Sequence, residues 1–354
     1  MAHDTVLEQA ANWLLHSGIQ KPDGGVARYY LSAERRYLPI SAEITGYAVS
    51  ALAFLHSATG MPGLLERLRI TADYLAGAWI PKLSVFPFEM DDGSHTLAYF
   101  FDTGIILRGL NSAGRADSDP KWPALVTAGA RGMLQRYGAG AAIPPVIELP
   151  HCRPLPLEPR WSRLPGCYQA KPALAWREVF EQTGDAALGQ AWHDTLAAAI
   201  ASHETFLPGA AEPARVMDRL HAYCYFLEAL LFAPDTEHRA AQLAGGIARV
   251  AGLLHSIAPE VVRSDVYAQL LRIRLYAAPA VPLDAEAAGR EAAALRQFQA
   301  RHHDPAIHGG FWFGRNRDGF LPFVNPVSTI FGVQALHLWQ QWQNGQRPGL
   351  QDVI

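Results

Sequence analysis

The stretch Ser41-Ala42-Glu43-Ile44-Thr45-Gly46-Tyr47-Ala48-Val49-Ser50-Ala51-Leu52-Ala53-Phe54-Leu55-His56-Ser57-Ala58-Thr59-Gly60 decides the architecture. From Ile44 to Leu55 it is uncharged and apolar on most faces, as expected of a helix buried nearly all round. It ends at a glycine, turns, and re-enters through Leu64 and Ala72, with Glu66–Leu75 carrying a polar stripe. Such a stripe places the second helix in an outer layer. The pattern recurs where Phe180-Glu181-Gln182-Thr183-Gly184-Asp185 leads into Leu188 and Ala197. The repeating unit is therefore a buried helix paired with an amphipathic one.

Working outward, helical periodicity returns along the whole chain, broken by Gly/Pro-rich stretches, while strand signals are almost absent. The pattern predicts about twelve helices. Their starts fall near Thr5, Ala42, Pro62, Thr103, Pro120, Pro172, Ala186, Arg219, Glu237, Asp265, Ala285 and Pro326. Asn325 before Pro326, Asp218 before Arg219 and Ser264 before Asp265 supply expected capping residues. Ile44–Leu55, Gly104–Leu110, Ala173–Phe180, Leu220–Leu231, Val266–Tyr276 and Val327–Trp339 are the apolar members. Glu66–Leu75, Ala187–Ser202, Arg239–Leu254 and Glu286–Arg301 are striped. Even-numbered helices are thus expected inside and odd-numbered ones outside. Hairpins that bury one face must close on their neighbours, and about six of them predict one all-α toroidal domain over residues 1–354. An open solenoid is the alternative, and the irregular connections argue against it.

Those connections are uneven in a useful way. Outer-to-inner links, such as 19–41, 81–101, 138–171, 207–218 and 304–325, are long; inner-to-outer turns, such as 58–61, 183–186 and 233–236, are short. Long loops within a compact domain are usually functional, and these gather where the inner helices begin. Helix N-termini offer free N–H groups and a positive dipole end there.

The composition narrows the classes. A chain of 354 residues that is 49% hydrophobic can bury a large core. A net charge of -3 supplies no global basic field for a nucleic acid, so none is expected as a partner. Cys152, Cys167 and Cys224 form no CxxC pair and no disulfide framework. Met1 to Gly18 reads as an amphipathic helix without a secretory n-region, and no apolar run suits a bilayer span. These features set the expectation of a cytoplasmic protein that does not insert in membranes. His151-Cys152 lacks a second pair at zinc spacing, and there is no HExxH, P-loop, GxGxxG after a strand, or GxSxG. Neither a metal nor an organic cofactor is expected.

The first turns of the inner helices would gather Glu43, Asp102, Tyr168, Gln169, Lys171, Arg219, His221, Arg263, Asp265, Asn325 and Ser328. The loops add Asp23, Arg28, Tyr29, Tyr30, Arg35, Arg36, Asp91, Asp92, His95, His151, His308, Trp312 and Arg315. Aromatic faces cover the apolar side of a pyranose while charged groups hold its hydroxyls or a carboxylate. Glu43, Asp102 and Asp265 are the candidate catalytic acids. Tyr30, Lys171, Arg219, His221, Arg263, Trp312 and Arg315 are the candidate substrate-binding residues. Each has a plainer reading. Asp102 is either catalytic or an N-cap, and Asp265 either catalytic or a complement to the macrodipole. His221 is either functional or a hydrogen-bonded core histidine. Glu43 is harder to explain structurally, because an uncharged helix follows it. Asp91-Asp92-Gly93 reads as a turn. Trp13, Trp79, Trp122, Trp192 and Trp339 fall at core spacing, whereas Trp312 lies in the Gly309–Arg315 loop and suits a platform or lid.

Over essentially its whole length the sequence resembles the six-hairpin (α/α)6 toroid superfamily. The resemblance rests on Asp23-Gly24-Gly25, on Ser41-Ala42-Glu43-Ile44-Thr45-Gly46, on Phe101-Asp102-Thr103-Gly104 and on the Thr183-Gly184-Asp185 turn. That superfamily includes glycoside hydrolases, unsaturated uronyl hydrolases, polysaccharide lyases and sugar epimerases, whose members commonly place carboxylates at inner-helix starts. The paired histidines of acylglucosamine epimerases do not align. Terpene-cyclase and prenyltransferase toroids need an aspartate-rich or zinc motif, for which Asp91-Asp92 is the only counterpart. The resemblance implies an (α/α)6 barrel acting on an oligosaccharide or polysaccharide, with general acid/base hydrolysis of a glycosidic bond as the leading expectation. Lyase or epimerase chemistry, a non-catalytic glycan-binding toroid and an isoprenoid cyclase-like enzyme are the alternatives.

Overall fold

A computed structural model describes residues 6–89, 96–117, 119–207, 212–234, 237–350 and 353–354. Asp91, Asp92 and His95 lie outside the described residues. Twelve helices run through the described chain: α1 Val6–His16, α2 Ala42–Thr59, α3 Leu64–Ala78, α4 Phe100–Asp117, α5 Lys121–Tyr137, α6 Ala170–Thr183, α7 Ala186–Ser202, α8 Pro213–Leu230, α9 Glu237–Ile257, α10 Ser264–Ala277, α11 Ala285–Arg296 and α12 Pro326–Gln343. Among the described residues no helix is long and apolar enough to cross a membrane.

The described chain clusters into two compact units. One comprises Gln20–Arg28 with Pro39–Glu204, the other Met1–Ile19, Tyr29–Leu38 and Thr205–Ile354. In the former, α2 packs on α4 and α4 on α6, while α3, α5 and α7 lie against them. The α2–α4 approach is close enough that a Cβ on Gly109 would stand 2.4 Å from the Gly46 carbonyl oxygen, so a side chain there cannot be accommodated without movement. Arg108 of α4 pairs with Glu178 of α6 at 2.8 Å, and Asn111 Nδ2 donates to the same carboxylate at 2.7 Å. In the other unit α10 packs against α8 and α12, with α1, α9 and α11 on their flanks. Arg272 and Glu228 form a fully buried 2.8 Å pair between α10 and α8. In both units the even-numbered helices are the buried ones. Thirteen of the fourteen residues of α10 are buried, against five of the twelve in α11.

Several helix starts follow from the capping chemistry. Ser41 caps α2, Asp185 caps α7, Asp284 caps α11 and Asn325 caps α12, each accepting a backbone N–H in the first turn. The expected start at Arg219 is displaced: α8 begins at Pro213, after Glu212. Proline is pre-organised for the first helical position, so Asp218 sits inside the helix and caps nothing. Likewise α4 begins at Phe100, which puts Asp102 in its first turn, and α10 begins at Ser264, with Arg263 in the flanking position.

The long connections contain strands that the sequence did not advertise. They are β1 Tyr30–Leu31, β2 Arg36–Tyr37, β3 Leu97–Tyr99, β4 Val146–Glu148, β5 Arg153–Pro154, β6 Val261–Arg263, β7 Gly314–Asn316, β8 Gly319–Phe320 and β9 Phe323–Val324. They form three antiparallel ribbons in the orders β2-β1-β9, β3-β4-β5 and β6-β7-β8. Two of these strands lead directly into helices: β3 into α4 and β6 into α10.

Candidate active site

In the unit that holds α2 and α4, the loop before α2 is folded back on that helix. Gly24 has φ +107 and would place a Cβ 2.5 Å from the Ile70 carbonyl oxygen, a position only glycine fills without strain. Asp23 Oδ1 accepts from the Gly25 N–H at 3.2 Å. Val26 N then donates to Thr45 Oγ1 at 3.0 Å, and Ser41 N to Val26 O at 3.1 Å. This locks Arg28, two residues on, beside the first turn of α2, where Glu43 stands half-buried.

Asp102 reaches the same place from α4. Phe100 N donates to Pro145 O at 3.0 Å, and Thr103 Oγ1 donates to Tyr99 O at 2.8 Å, fixing the junction of β3 and α4. Asp102 is only 6% exposed, and its Oδ2 has no hydrogen-bond partner among the described residues. Burial, followed by the charge of Glu43, pushes the Asp102 carboxyl well above the usual carboxylate range, against the pull of Arg28. Burial lifts Glu43 to about 7, again opposed by Arg28. Two carboxyls in each other's field cannot both ionise readily, so near neutrality the pair retains a proton.

Aromatic and cationic groups stand beside this pair. The Arg28 guanidinium lies 4.9 Å from the Phe88 ring centroid and donates to Glu89 Oε1 at 2.6 Å. Phe88 meets Tyr99 at 4.7 Å, and Arg163 covers Tyr99 at 5.1 Å. Phe88, Tyr99 and Arg163 were absent from the sequence-based selection. The one available signal was Arg160-Trp161-Ser162-Arg163, cations around an aromatic residue within the long 138–171 loop. Lys171 is fully buried in the first turn of α6.

The other unit gathers a different set. Asp265 is 1% exposed and receives Arg263 through both oxygens, at 3.0 and 2.6 Å. Arg263 also reaches Asp218 at 2.9 Å and lies over the Phe313 ring at 4.6 Å. Burial alone would raise the Asp265 carboxyl, but the charge and hydrogen bonds of Arg263 overcome it and hold the group below its ordinary range. His221 Nδ1 lies 2.8 Å from Gln269 Oε1 and 3.3 Å from Asp265 Oδ2. Both neighbours are acceptors, so Nδ1 carries the proton and Nε2 the lone pair. Burial and then Arg263 lower the His221 pKa, keeping the ring neutral.

The remaining predicted residues of that unit are engaged locally. Tyr30 is buried in β1 and donates to Asp304 Oδ2 at 3.3 Å. Arg219 donates to Phe206 O at 3.1 Å and stacks over the Phe206 ring. Arg315 donates to Gln297 Oε1 at 3.4 Å and lies over Phe298. Trp312 stacks on the exposed Phe320 at 6.1 Å and 17°. Among the described residues no group of three His, Cys, Asp or Glu side chains is placed to hold a metal ion.

No protein-family model and no curated protein sequence matches the chain. Solved structures do. The chain is similar to a sugar epimerase from a ruminal bacterium, with TM-score 0.69 and 10% identity over 94% of this chain and 99% of that one. It is similar to the cellobiose 2-epimerase of Spirochaeta thermophila DSM 6192, with TM-score 0.68 and 12% identity over 94% and 95% of the two chains. It is also similar to an unsaturated glucuronyl hydrolase from Bacillus sp. GL1, responsible for the degradation of glycosaminoglycan, with TM-score 0.63 and 15% identity over 96% and 97%. At these identities the likeness shows the fold, an all-α (α/α)6 barrel of alternating inner and outer helices.

Proposed function

We propose that the chain is a carbohydrate-active enzyme that hydrolyses a glycosidic bond of an oligosaccharide or uronate-containing glycan, with Glu43 and Asp102 as its acid/base pair. The observation that carries this reading is the pair itself: two carboxyls in mutual repulsion at the starts of adjacent helices, one with an unpartnered buried oxygen. Asp102, the more deeply buried of the two and with no partner for Oδ2 among the described residues, holds the proton and gives it to the leaving oxygen. Glu43, ionised above about 7, draws a proton from the attacking water. The structural neighbours, a sugar epimerase, a cellobiose 2-epimerase and an unsaturated glucuronyl hydrolase, support a carbohydrate substrate.

The test is release of reducing ends from a panel of neutral and uronate-terminated oligosaccharides. Glu43→Gln and Asp102→Asn are each expected to lower kcat by about 10²–10⁴-fold, and the wild-type rate should rise as pH passes about 7. Unchanged turnover in both variants would sink the proposal. A second reading, proton abstraction from a sugar carbon, is favoured by one observation, the fixed tautomer of His221 between Asp265 and Gln269. In that reading Asp265 orients the imidazole and Nε2 accepts the proton. Incubating sugars in D₂O separates the two: deuterium entering a carbon position without bond cleavage selects the second.

A further inference from the structure

We infer that Arg163, spread over the Tyr99 ring, receives an anionic substituent, a carboxylate or a sulfate ester, on the sugar handled by Glu43 and Asp102. This rests on the hydrolytic reading for the identity of the neighbouring pair. Several guanidinium groups of the same unit have carboxylate partners, among them Arg28 with Glu89, Arg69 with Asp117, Arg108 with Glu178 and Arg131 with Asp185. Arg163 differs. Its Nη1 is buried and has no hydrogen-bond partner among the described residues. A buried charged donor left unmatched is unfavourable, and an acceptor supplied by a ligand relieves it.

The side chain is held ready for such a ligand. Its own backbone N–H donates to Arg160 O at 2.9 Å, Leu164 N donates to Trp161 O at 3.2 Å, and Tyr168 Oη donates to Leu164 O at 3.0 Å. Trp161 sets its ring edge-on to Tyr168 at 5.0 Å. The backbone that carries Arg163 is therefore fixed, its guanidinium lies over the Tyr99 ring, and a planar fork suits a carboxylate or sulfate better than an ammonium would. Tyr99 connects it to the reacting groups, since its hydroxyl feels the charges of both Arg163 and Asp102. Three arginines singled out from sequence are otherwise occupied. Asp265 and Asp218 neutralise Arg263, while carbonyl oxygens occupy Arg219 and Arg315.

The experiment is isothermal titration of the full chain with methyl glucuronide, glucose 6-sulfate and methyl glucoside. The wild type is expected to bind at least one of the anions about ten-fold more tightly than the glucoside, equivalent to about 1.4 kcal/mol. The anion preferred identifies the substituent. Arg163→Gln should bring anion and glucoside within about two-fold of each other. Arg163→Lys, which keeps the charge without the fork, should weaken the preference by about three-fold or more and covers the case in which the glutamine variant fails to fold. Equal affinities in the wild type, no binding of either anion at millimolar concentration, or an unchanged preference in a folded variant overturns the inference. Binding is read without turnover. Absence of hydrolysis therefore leaves this result standing, and loss of anion preference leaves the acid/base pair standing.

Discussion

Because burial raises the Glu43 carboxyl to about 7, the folded chain keeps a proton there that an unfolded chain releases near the ordinary glutamate value of about 4.3. The stabilising contribution is thus complete below the unfolded value and is lost as pH rises through about 7. Glu43→Gln, which cannot ionise, should raise Tm at pH above about 7 and leave it nearly unchanged at pH about 4. Thermal scans at the two pH values check this, and an equal shift at both would contradict the linkage. Glu43 was legible in the sequence because it is a lone acid before an uncharged helix. The Arg163 stack was not. It needs Phe88, Tyr99 and Arg163, drawn from three separate segments, and no local spacing announces that they meet.

Helices were the most readable elements, and their readability has a physical cause. Ala42, Ala186, Ala285 and Pro326 begin helices where the periodicity places them, and each follows a residue whose side chain fixes the first turn locally. The ribbons were missed since their strands span two or three residues, too short for alternation to register. The close contact of α2 and α4 is also invisible in one sequence. Gly46 and Gly109 show their purpose only when facing each other, and that face sets the spacing of the helices that carry Glu43 and Asp102. Gly109→Ala is expected to cost about 1–3 kcal/mol through overpacking. Asn325→Ala, which removes the cap that bonds Ser328 N at 3.1 Å, should cost about 1 kcal/mol. Urea midpoints measure both. A Gly109 variant as stable as the wild type would show that the two backbones separate freely.

Across the whole molecule, buried ion pairs give the acid side of the stability curve. Burial alone would raise Glu178, yet Arg108 and Arg115 hold it below its ordinary range, and Arg263 does the same for Asp265. Carboxyls depressed in the fold contribute stability that is present above their unfolded values and is lost as pH falls through the folded ones. Tm should therefore fall steeply below about pH 4. Arg108→Met leaves Glu178 without its strongest partner and should cost about 3–5 kcal/mol at neutral pH. The acid limb should become shallower in the same variant, and thermal scans from about pH 2 to 7 test both effects. The alternation of buried and striped helices was readable at this scale, because it depends only on composition along each segment. The division into two compact units was not, since the second unit recruits Tyr29–Leu38 from a loop far from its main body.

The ribbon that joins β1 to β9 has a consequence for how the chain is made. Ser32 of that ribbon bonds Pro322, 290 residues downstream. At ribosomal rates of about 5–20 residues per second, β1 waits roughly 15–60 s for its partner to emerge. For that interval β1 can pair with β2 on one side only, and its other edge stays open in a nascent chain whose first helices are already forming. Chaperone dependence during synthesis should accordingly be relieved by a circular permutation that brings these two strands together early.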